Sequence, residues 1–438
     1  MSEAHGGSWS GERAERHLRS LELFGMRFGL DRMRRMMTVL GSPERRFASI
    51  HVVGTNGKSS TTRMIAAILQ RHGLSTGAYL SPHLVSYAER VQVAERDMPM
   101  HAFAAAVARA AWAAERVNRT LAEDDHVTQF ELLTAAAFWA LAERGVDVAA
   151  VEAGLGGRYD ATSVIESSVA VLTNVGLEHT RWLGPKVSDI AAEKLAVVPA
   201  GGTLALGADL HPDALAVARA VAAERDARIV LAPASDGAID PARGAFQQRN
   251  FALARVAAEV YLRSVGIAPD ERAVRAAAQA TAVPGRVQVL ALDPLTILDG
   301  AHNPDAAAAL VQSLGQLPGA AGLGEGRPLA LVMGVLEDKD AAGMLARLLP
   351  LCTRAWFTAP PSSRALSPAA LQSLARQQGF AEALCEPDPS RALAQAQAWA
   401  RGERDAAAAV LATGSVYLVG ELLAAANDGA QDAGAAAR

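Results

Sequence analysis

Apolar positions along this chain fall into short β-branched runs alternating with longer stretches of helical spacing. The clearest run is 49–53 (SIHVV), which predicts a buried strand; it breaks at two glycines, and residues 62–69 resume with the spacing of an amphipathic helix. Helical patterns precede it at 14–23 and 31–40, joined by Phe28-Gly29-Leu30, and further helices are predicted over 101–118, 128–144 and 212–224. Strands are predicted at 75–80, 146–152, 169–174, 203–206 and 228–231, with Ser188 capping a short helix that carries Glu193 and Lys194. Such alternation predicts a doubly wound, mostly parallel sheet. Val283-Pro284-Gly285-Arg286 marks a boundary, giving domains 1–284 and 285–438. The alternation then restarts with strands at 287–292, 295–298, 329–333, 354–357 and 407–411, a helix from Pro304 and a glycine-rich loop at 318–327. The fold class is therefore α/β: a phosphate-loop domain with a central, mostly parallel sheet, then a smaller Rossmann-like α/β domain. The first dozen residues and the end from about Asn427 are expected to be disordered tails. No fixed-period repeat is present.

Composition narrows the function more than the fold. Half of the 438 residues are hydrophobic, enough for a large core in two or three domains. A net charge of −4 supplies no basic field, so nucleic acid is not an expected partner. Two cysteines, Cys352 and Cys385, suit neither a disulfide framework nor a zinc site. Residues 1–15 lack an apolar leader core, and no uncharged run is long enough to span a membrane. The expectation is a soluble cytoplasmic protein with no membrane partner.

The turn between the first strand and its helix reads Gly54-Thr55-Asn56-Gly57-Lys58-Ser59-Ser60. Strand, glycine turn, Lys-Ser and helix together make a phosphate cradle: backbone N–H groups approach the anion, the helix N-terminus adds partial positive charge, and Lys58 adds a full one. The common G-x-x-x-x-G-K-[ST] spacing is not met, since Val52 stands five residues before Gly57. Ser59 or Ser60 can offer a hydroxyl to magnesium. Three other stretches lie at predicted strand ends, where open α/β sheets bind ligands. They are Ser81-Pro82-His83-Leu84, Glu152-Ala153-Gly154-Leu155-Gly156-Gly157-Arg158 and Thr173-Asn174-Val175-Gly176-Leu177-Glu178-His179. Ser81, Glu152 and His179 thus bring a hydroxyl, a carboxylate and an imidazole towards the phosphate loop, a set able to hold a divalent metal. Singly, each also fits an ordinary turn or cap. In the second domain Asn303 caps the helix begun by Pro304, which leaves Asp299 and His302 without a structural duty, and Arg286 lies in the linker.

Together the motifs GTNGKSSTTR, SPHLVSYAERV, TQFELLTAAAFWAL, VEAGLGGRYDAT, TNVGLEHTRWLG, IAAEKLAVV, FQQRNFALA, VPGRV, LDGAHNPDA, VMGVLEDKD and ATGSVYLVGE resemble, in order and over nearly the whole chain, the folylpolyglutamate synthases of the Mur ligase superfamily. Bacterial members often double as dihydrofolate synthases. Three departures are visible: Ser59 replaces a common glycine, Ala153 a common valine and Ser163 a common asparagine. The resemblance implies a Mur-ligase-type ATPase domain and an ATP-dependent acid–amino-acid ligase of folate and one-carbon metabolism. Such an enzyme joins L-glutamate to dihydropteroate or to the γ-carboxylate of reduced folates through an acyl phosphate. It implies ATP and Mg2+ as cofactors, with K+ as an additional candidate, and a monomer. Gly54, Thr55, Asn56, Gly57, Lys58, Ser59, Ser60, Asn250, Arg286 and Asp299 would contact nucleotide, with His302 nearby as a catalytic candidate beside Lys58. Ser81, Glu152 and His179 would be metal ligands, joined by Lys194 once carbamylated. Gly29, Leu30, Asp31, Thr128, Phe130, Tyr159, Asp160 and Ala161 would form the pterin side; Phe130 could equally be a core helix residue. Other readings are folylpolyglutamate synthase activity alone, a Mur-type ligase for another carboxylate, and an ATP-binding switch without ligase chemistry. Barely fifty residues precede the phosphate loop, which counts against a cell-wall type with its own uridine-nucleotide domain.

Overall fold

The computed structural model describes residues 9–21, 29–240, 243–317, 319–320, 322–323, 326–403 and 407–436. The chain divides into two compact units. Unit one comprises residues 1–82, 86–238 and 249–281; unit two comprises 83–85, 239–248 and 282–438. The two short returns, at 83–85 and 239–248, are invisible to a single cut at 284.

Among the described residues unit one is built on eight strands: β1 (Ala48–Val53), β2 (Thr76–Tyr79), β3 (Val91–Val93), β4 (Arg96–Asp97), β5 (Val148–Glu152), β6 (Val169–Leu172), β7 (Thr203–Leu206) and β8 (Arg228–Leu231). They lie in the order β4-β3-β2-β5-β1-β6-β7-β8. All pairs from β2 to β8 are parallel, while β3 and β4 pair antiparallel at one edge. β1 is central and almost wholly buried, as a continuous apolar run between two helical layers must be. One layer packs helices Gly11–Ser20, Asp31–Leu40, Met100–Asn118 and Gln129–Glu143 around Tyr79, Phe103 and Phe138. The other packs Val187–Leu195 and Pro212–Glu224 around Val53, Leu172 and Leu206.

Several local expectations change. The helix after the phosphate loop starts at Lys58, four residues ahead of the apolar spacing, because its first turn is polar. Ser188 is not a cap: Lys186 is extended (φ −117°, ψ 152°), its N–H is accepted by Asp189, and Ser188 falls inside the helix. The β3–β4 hairpin escapes the sequence because its turn, Ala94-Glu95, takes positive φ without glycine. Helices Ala245–Ser264 and Glu271–Ala280 were not expected either. Ser10 caps Gly11–Ser20 within a stretch expected to be disordered; the expected end of that helix at 22–23, Phe28 and residues 1–8 lie outside the described residues.

Among the described residues unit two has six strands: β9 (Gln288–Leu292), β10 (Leu295–Leu298), β11 (Leu329–Met333), β12 (Arg354–Phe357), β13 (Ala383–Cys385) and β14 (Ala409–Thr413). Their order is β13-β12-β11-β14-β10-β9, parallel except for the β9–β10 hairpin. Helices Pro304–Leu314, Ala341–Leu348 and Pro368–Gln377 and the Pro389–Gly402 helix, with β13, complete an alternation that the sequence reading had only in part. The last helix, Val416–Ala436, runs through the supposed tail; alanine-rich sequence has the propensity to continue a helix that has already started. Parts of the 318–327 loop lie outside the described residues. Among the described residues no helix is long and apolar enough to cross a membrane.

Candidate active site

The loop after β1 is clasped by the loop after β6. Thr55 N–H donates to Asn174 O (3.0 Å) and Asn56 N–H to Asn174 Oδ1 (2.8 Å). Thr173 Oγ1 donates to Asn56 O (2.7 Å), and Gly176 N–H donates to Thr55 Oγ1 (3.1 Å). So close is the approach that a Cβ at Gly54 would collide with Thr173 Oγ1. Gly57 turns the chain into the helix at φ 82°, where a side chain would strike Asn250 Oδ1. Among the described residues no side chain caps this helix, an arrangement suited to an anion at its N-terminus. Lys58 Nζ folds back over the loop to donate to Thr55 O (3.2 Å). Thr173 and Asn174 thereby join the site. Their position at a strand end is the signal the sequence offers, although only His179 of that stretch is an expected ligand there.

Glu152, the last residue of β5 and 1% exposed, sits beside Val52 in register. Its Oε1 accepts from Ser59 Oγ (2.9 Å) and its Oε2 from Ser81 N–H (3.0 Å). Arg90 Nη1 in turn donates to Ser81 Oγ (3.4 Å). Ser60 is different: its Oγ is buried with no hydrogen-bond partner, so Ser59 is the hydroxyl that faces the carboxylate. His179 opens the short helix Thr180–Leu183 in left-handed geometry (φ 51°), with Nε2 3.6 Å from the Glu178 carboxylate. Among the described residues no three His, Cys, Asp or Glu side chains converge as a metal set. The oxygen donors at this spot are one carboxylate and serine hydroxyls, which suit a hard cation that keeps much of its water.

Lys194 is buried, not on the surface, and its Nζ donates to Gly54 O (2.8 Å). Burial, with the Lys58 charge nearby, pulls its pKa down to about 7 against the pull of Glu178 and Asp160. The glycine turn after Glu152 lies flat on the same helix end. A Cβ at Gly157 would come within 2.6 Å of Lys194 O and 2.7 Å of Glu193 O, and Arg158 N–H donates to Glu193 O (3.0 Å).

The residues assigned to the pterin side form a connected wall in unit one. Leu30 and Asp31 begin the helix Asp31–Leu40, and Asp31 pairs with Arg35 (2.9 Å). Next to them Arg32 is buried, binding Glu131 through Nε (3.0 Å) and Asp125 through Nη1 (2.6 Å). Glu131 also completes the capping box of Thr128. Thus Gly29 to Asp31 and Thr128 to Glu131 are fastened together. Phe130 is half-buried; its ring lies 6.3 Å from that of Tyr79 and directly against Gly154. Tyr159 is 52% exposed, whereas Asp160 and Ala161 are buried. The Asp160 carboxylate accepts from Leu155 N–H (2.7 Å), Thr162 N–H (3.0 Å) and Thr162 Oγ1 (2.5 Å). Thr128 and Asp160 therefore have structural duties that the sequence did not reveal.

In unit two, Asp299 is buried with Oδ2 accepting from Val287 N–H (2.9 Å) and Oδ1 from Ala301 N–H (2.8 Å). Burial pushes its pKa up and Arg286 opposes this. The Arg286 guanidinium lies against Gly300, and His302 Nδ1 is 2.9 Å from Gly300 O. Asn303 caps Pro304–Leu314 through Ala306 N–H (2.8 Å), as its position suggested.

The Mur ligase middle-domain family matches residues 52–203, and the Mur ligase glutamate ligase domain family matches residues 285–416. The chain is 35% identical to the folylpolyglutamate synthase of Lacticaseibacillus casei, over 78% of this chain and 84% of that one. It is 34% identical to the dihydrofolate synthase/folylpolyglutamate synthase of Escherichia coli, over 81% of each. The solved structure of Mycobacterium tuberculosis folylpolyglutamate synthase complexed with ADP superimposes with a TM-score of 0.87 at 29% identity, covering 95% of this chain and 98% of that one. With the phosphate loop, the Glu152 strand end and the buried Lys194 in one unit and the glutamate-ligase domain in the other, this chain belongs to the folylpolyglutamate synthase family of Mur ligases.

Proposed function

We propose that this protein ligates L-glutamate, at the expense of ATP, to the carboxylate of dihydropteroate and to the γ-carboxylate of reduced folates. The carrying observation is the convergence of Lys58, Ser59 and Glu152 beside an uncapped helix N-terminus. A carboxylate is a poor electrophile, so the acceptor carboxylate first attacks the γ-phosphorus of ATP and ADP departs. The amino group of glutamate, once deprotonated, then attacks the acyl carbon and phosphate leaves. Charge spread over the transferred phosphoryl oxygens must be met by preplaced positive groups. Lys58 and the first N–H groups of its helix supply them. Asn250, held at Gly57, supports the nucleotide side. Arg286, Asp299 and His302 are assigned to the nucleotide and catalytic set of unit two, with Asp299 holding the turn on which His302 stands.

Ser59, Ser81, Glu152 and His179 would hold magnesium, which when bound neutralises phosphate charge. As an ammonium, Lys194 donates a hydrogen bond to Gly54 O and has no lone pair for a metal. Carbamylation converts it into an anionic oxygen donor, and a buried amine with its pKa near 7 retains the neutral form this needs. Tyr159 and Phe130 are the pterin-facing surfaces, Tyr159 by its exposure and Phe130 by its ring beside Gly154. The protein is taken to act in the cytoplasm as a monomer.

Glu152→Gln and His179→Ala are each expected to raise the magnesium concentration for half-maximal rate by about tenfold or more. Magnesium titrations matching wild type for both variants would remove them from the ligand set. The substrate reading is tested by supplying ATP, magnesium and L-glutamate with either dihydropteroate or a reduced folate. Amide formation is expected with both acceptors, since one centre can phosphorylate either carboxylate. Product from folate alone would remove the dihydrofolate synthase half. Product from neither, with ATP still bound, would end the folate reading.

A further inference from the structure

A buried polar chain runs from the strand under the phosphate loop to the acceptor-side turn. His51, at the middle of β1 and 1% exposed, places Nε2 2.8 Å from Thr162 Oγ1. Thr162 Oγ1 in turn lies 2.5 Å from Asp160 Oδ1. Burial pushes the Asp160 pKa up, but hydrogen bonds from Leu155 N–H and Thr162 N–H favour its ionised form; towards that carboxylate the Thr162 hydroxyl is the donor, leaving only lone pairs for His51, so Nε2 carries the imidazole proton. Burial drives the His51 pKa down to about 3, so the ring is neutral at any working pH and acts as a fixed donor. At the far end, Asp160 also accepts from Leu155 N–H and Thr162 N–H, closing the turn that carries Gly156, Gly157 and Tyr159. An aliphatic residue would fill the same place in an apolar strand at no polar cost, so packing alone does not call for histidine here.

We propose that His51 is a positioning residue for acceptor binding, acting through Thr162 on Asp160 to hold the 154–161 turn in the shape that receives the pterin-bearing substrate. This rests on the reading of that turn as the acceptor side. The donor from His51 orients the Thr162 hydroxyl, and the oriented hydroxyl fixes one oxygen of Asp160. The other oxygen is then left to gather the glycine turn. Without the chain, the turn keeps its backbone bonds but loses its single orientation, which costs acceptor affinity more than turnover.

The test is steady-state kinetics on His51→Leu, His51→Gln and Thr162→Val, with thermal midpoints measured alongside. His51→Leu and Thr162→Val are expected to raise KM for dihydropteroate or folate by about tenfold, with KM for ATP and kcat near wild type. Glutamine presents an N–H near the position of Nε2 and is expected to recover most of the lost affinity. The double variant should be no worse than Thr162→Val alone, because both act through one chain. Thr162→Val, nearly isosteric, carries the test if His51→Leu does not fold. Equal losses for ATP and acceptor, or a glutamine variant no better than leucine, would reduce His51 to core structure and overturn the proposal. Tyr159→Ala separates the two layers. If it raises acceptor KM while the His51 and Thr162 variants do not, the relay alone is wrong. If all of them leave acceptor KM unchanged, the acceptor-side reading of the turn falls with it.

Discussion

Lys58→Ala is expected to lower the rate of glutamate-dependent ADP release by about 10²–10³-fold, the usual cost of removing one preplaced charge from a phosphoryl-transfer site. Lys58 Nζ donates to a backbone carbonyl, Thr55 O (3.2 Å). Losing that bond on a partly exposed side chain leaves the core untouched, and the thermal midpoint should move little. The variant has a second signature. Lys58 is one of the two influences that lower the Lys194 pKa, so its removal should shift Lys194 back towards the ordinary lysine value. A variant with turnover within tenfold of wild type would displace Lys58 from the phosphate.

The difference between what the sequence disclosed and what it hid follows from how each signal is encoded. The phosphate loop was legible because strand, glycine and lysine are local events; Gly54 and Gly57 are set by contacts with Thr173 and Asn250 that no local pattern contains. Glu152 was placed at a strand end by periodicity, but its choice of Ser59 over Ser60 depends on which face of the helix meets β5. Helix Ala245–Ser264 carries Asn250 within the motif FQQRNFALA, which marks the family but not the element. The β3–β4 hairpin lacked a glycine turn, and the alanine-rich end was mistaken for a tail because low complexity resembles disorder. The family resemblance implies Asp160 and Thr128 as substrate groups, whereas the caps and turns that occupy both arise from contacts formed only in the fold. Burial of Lys194 was the largest hidden fact. Its neighbours in sequence, Glu193 and a short helix, describe a surface, and the contact with Gly54 spans 140 residues of chain.

Lys194→Ala should therefore inactivate the enzyme, by about 10²-fold or more if an anionic ligand is lost from a phosphoryl-transfer centre. Alanine also leaves Gly54 O without its buried donor, so a loss of activity by itself does not distinguish a ligand from a strut. Chemical rescue does. A short carboxylate such as acetate or propionate, diffusing into the space vacated by the side chain, should restore part of the rate of Lys194→Ala and none to Lys58→Ala. The proposed carbamylation proceeds by attack of the neutral amine on carbon dioxide, making one C–N bond and releasing one proton to solvent. With the Lys194 pKa near 7, the neutral fraction rises as pH rises through that value. At equal dissolved carbon dioxide, rather than equal total bicarbonate, protein stripped of carbon dioxide at low pH should accordingly regain activity faster at pH 8 than at pH 6. Labelled carbon from the bicarbonate should appear as a carbamate signal that Lys194→Ala lacks. A fully active alanine variant would end the ligand role; an inactive one that no carboxylate rescues, together with a wild type indifferent to carbon dioxide, would leave Lys194 as the support of Gly54 and nothing more.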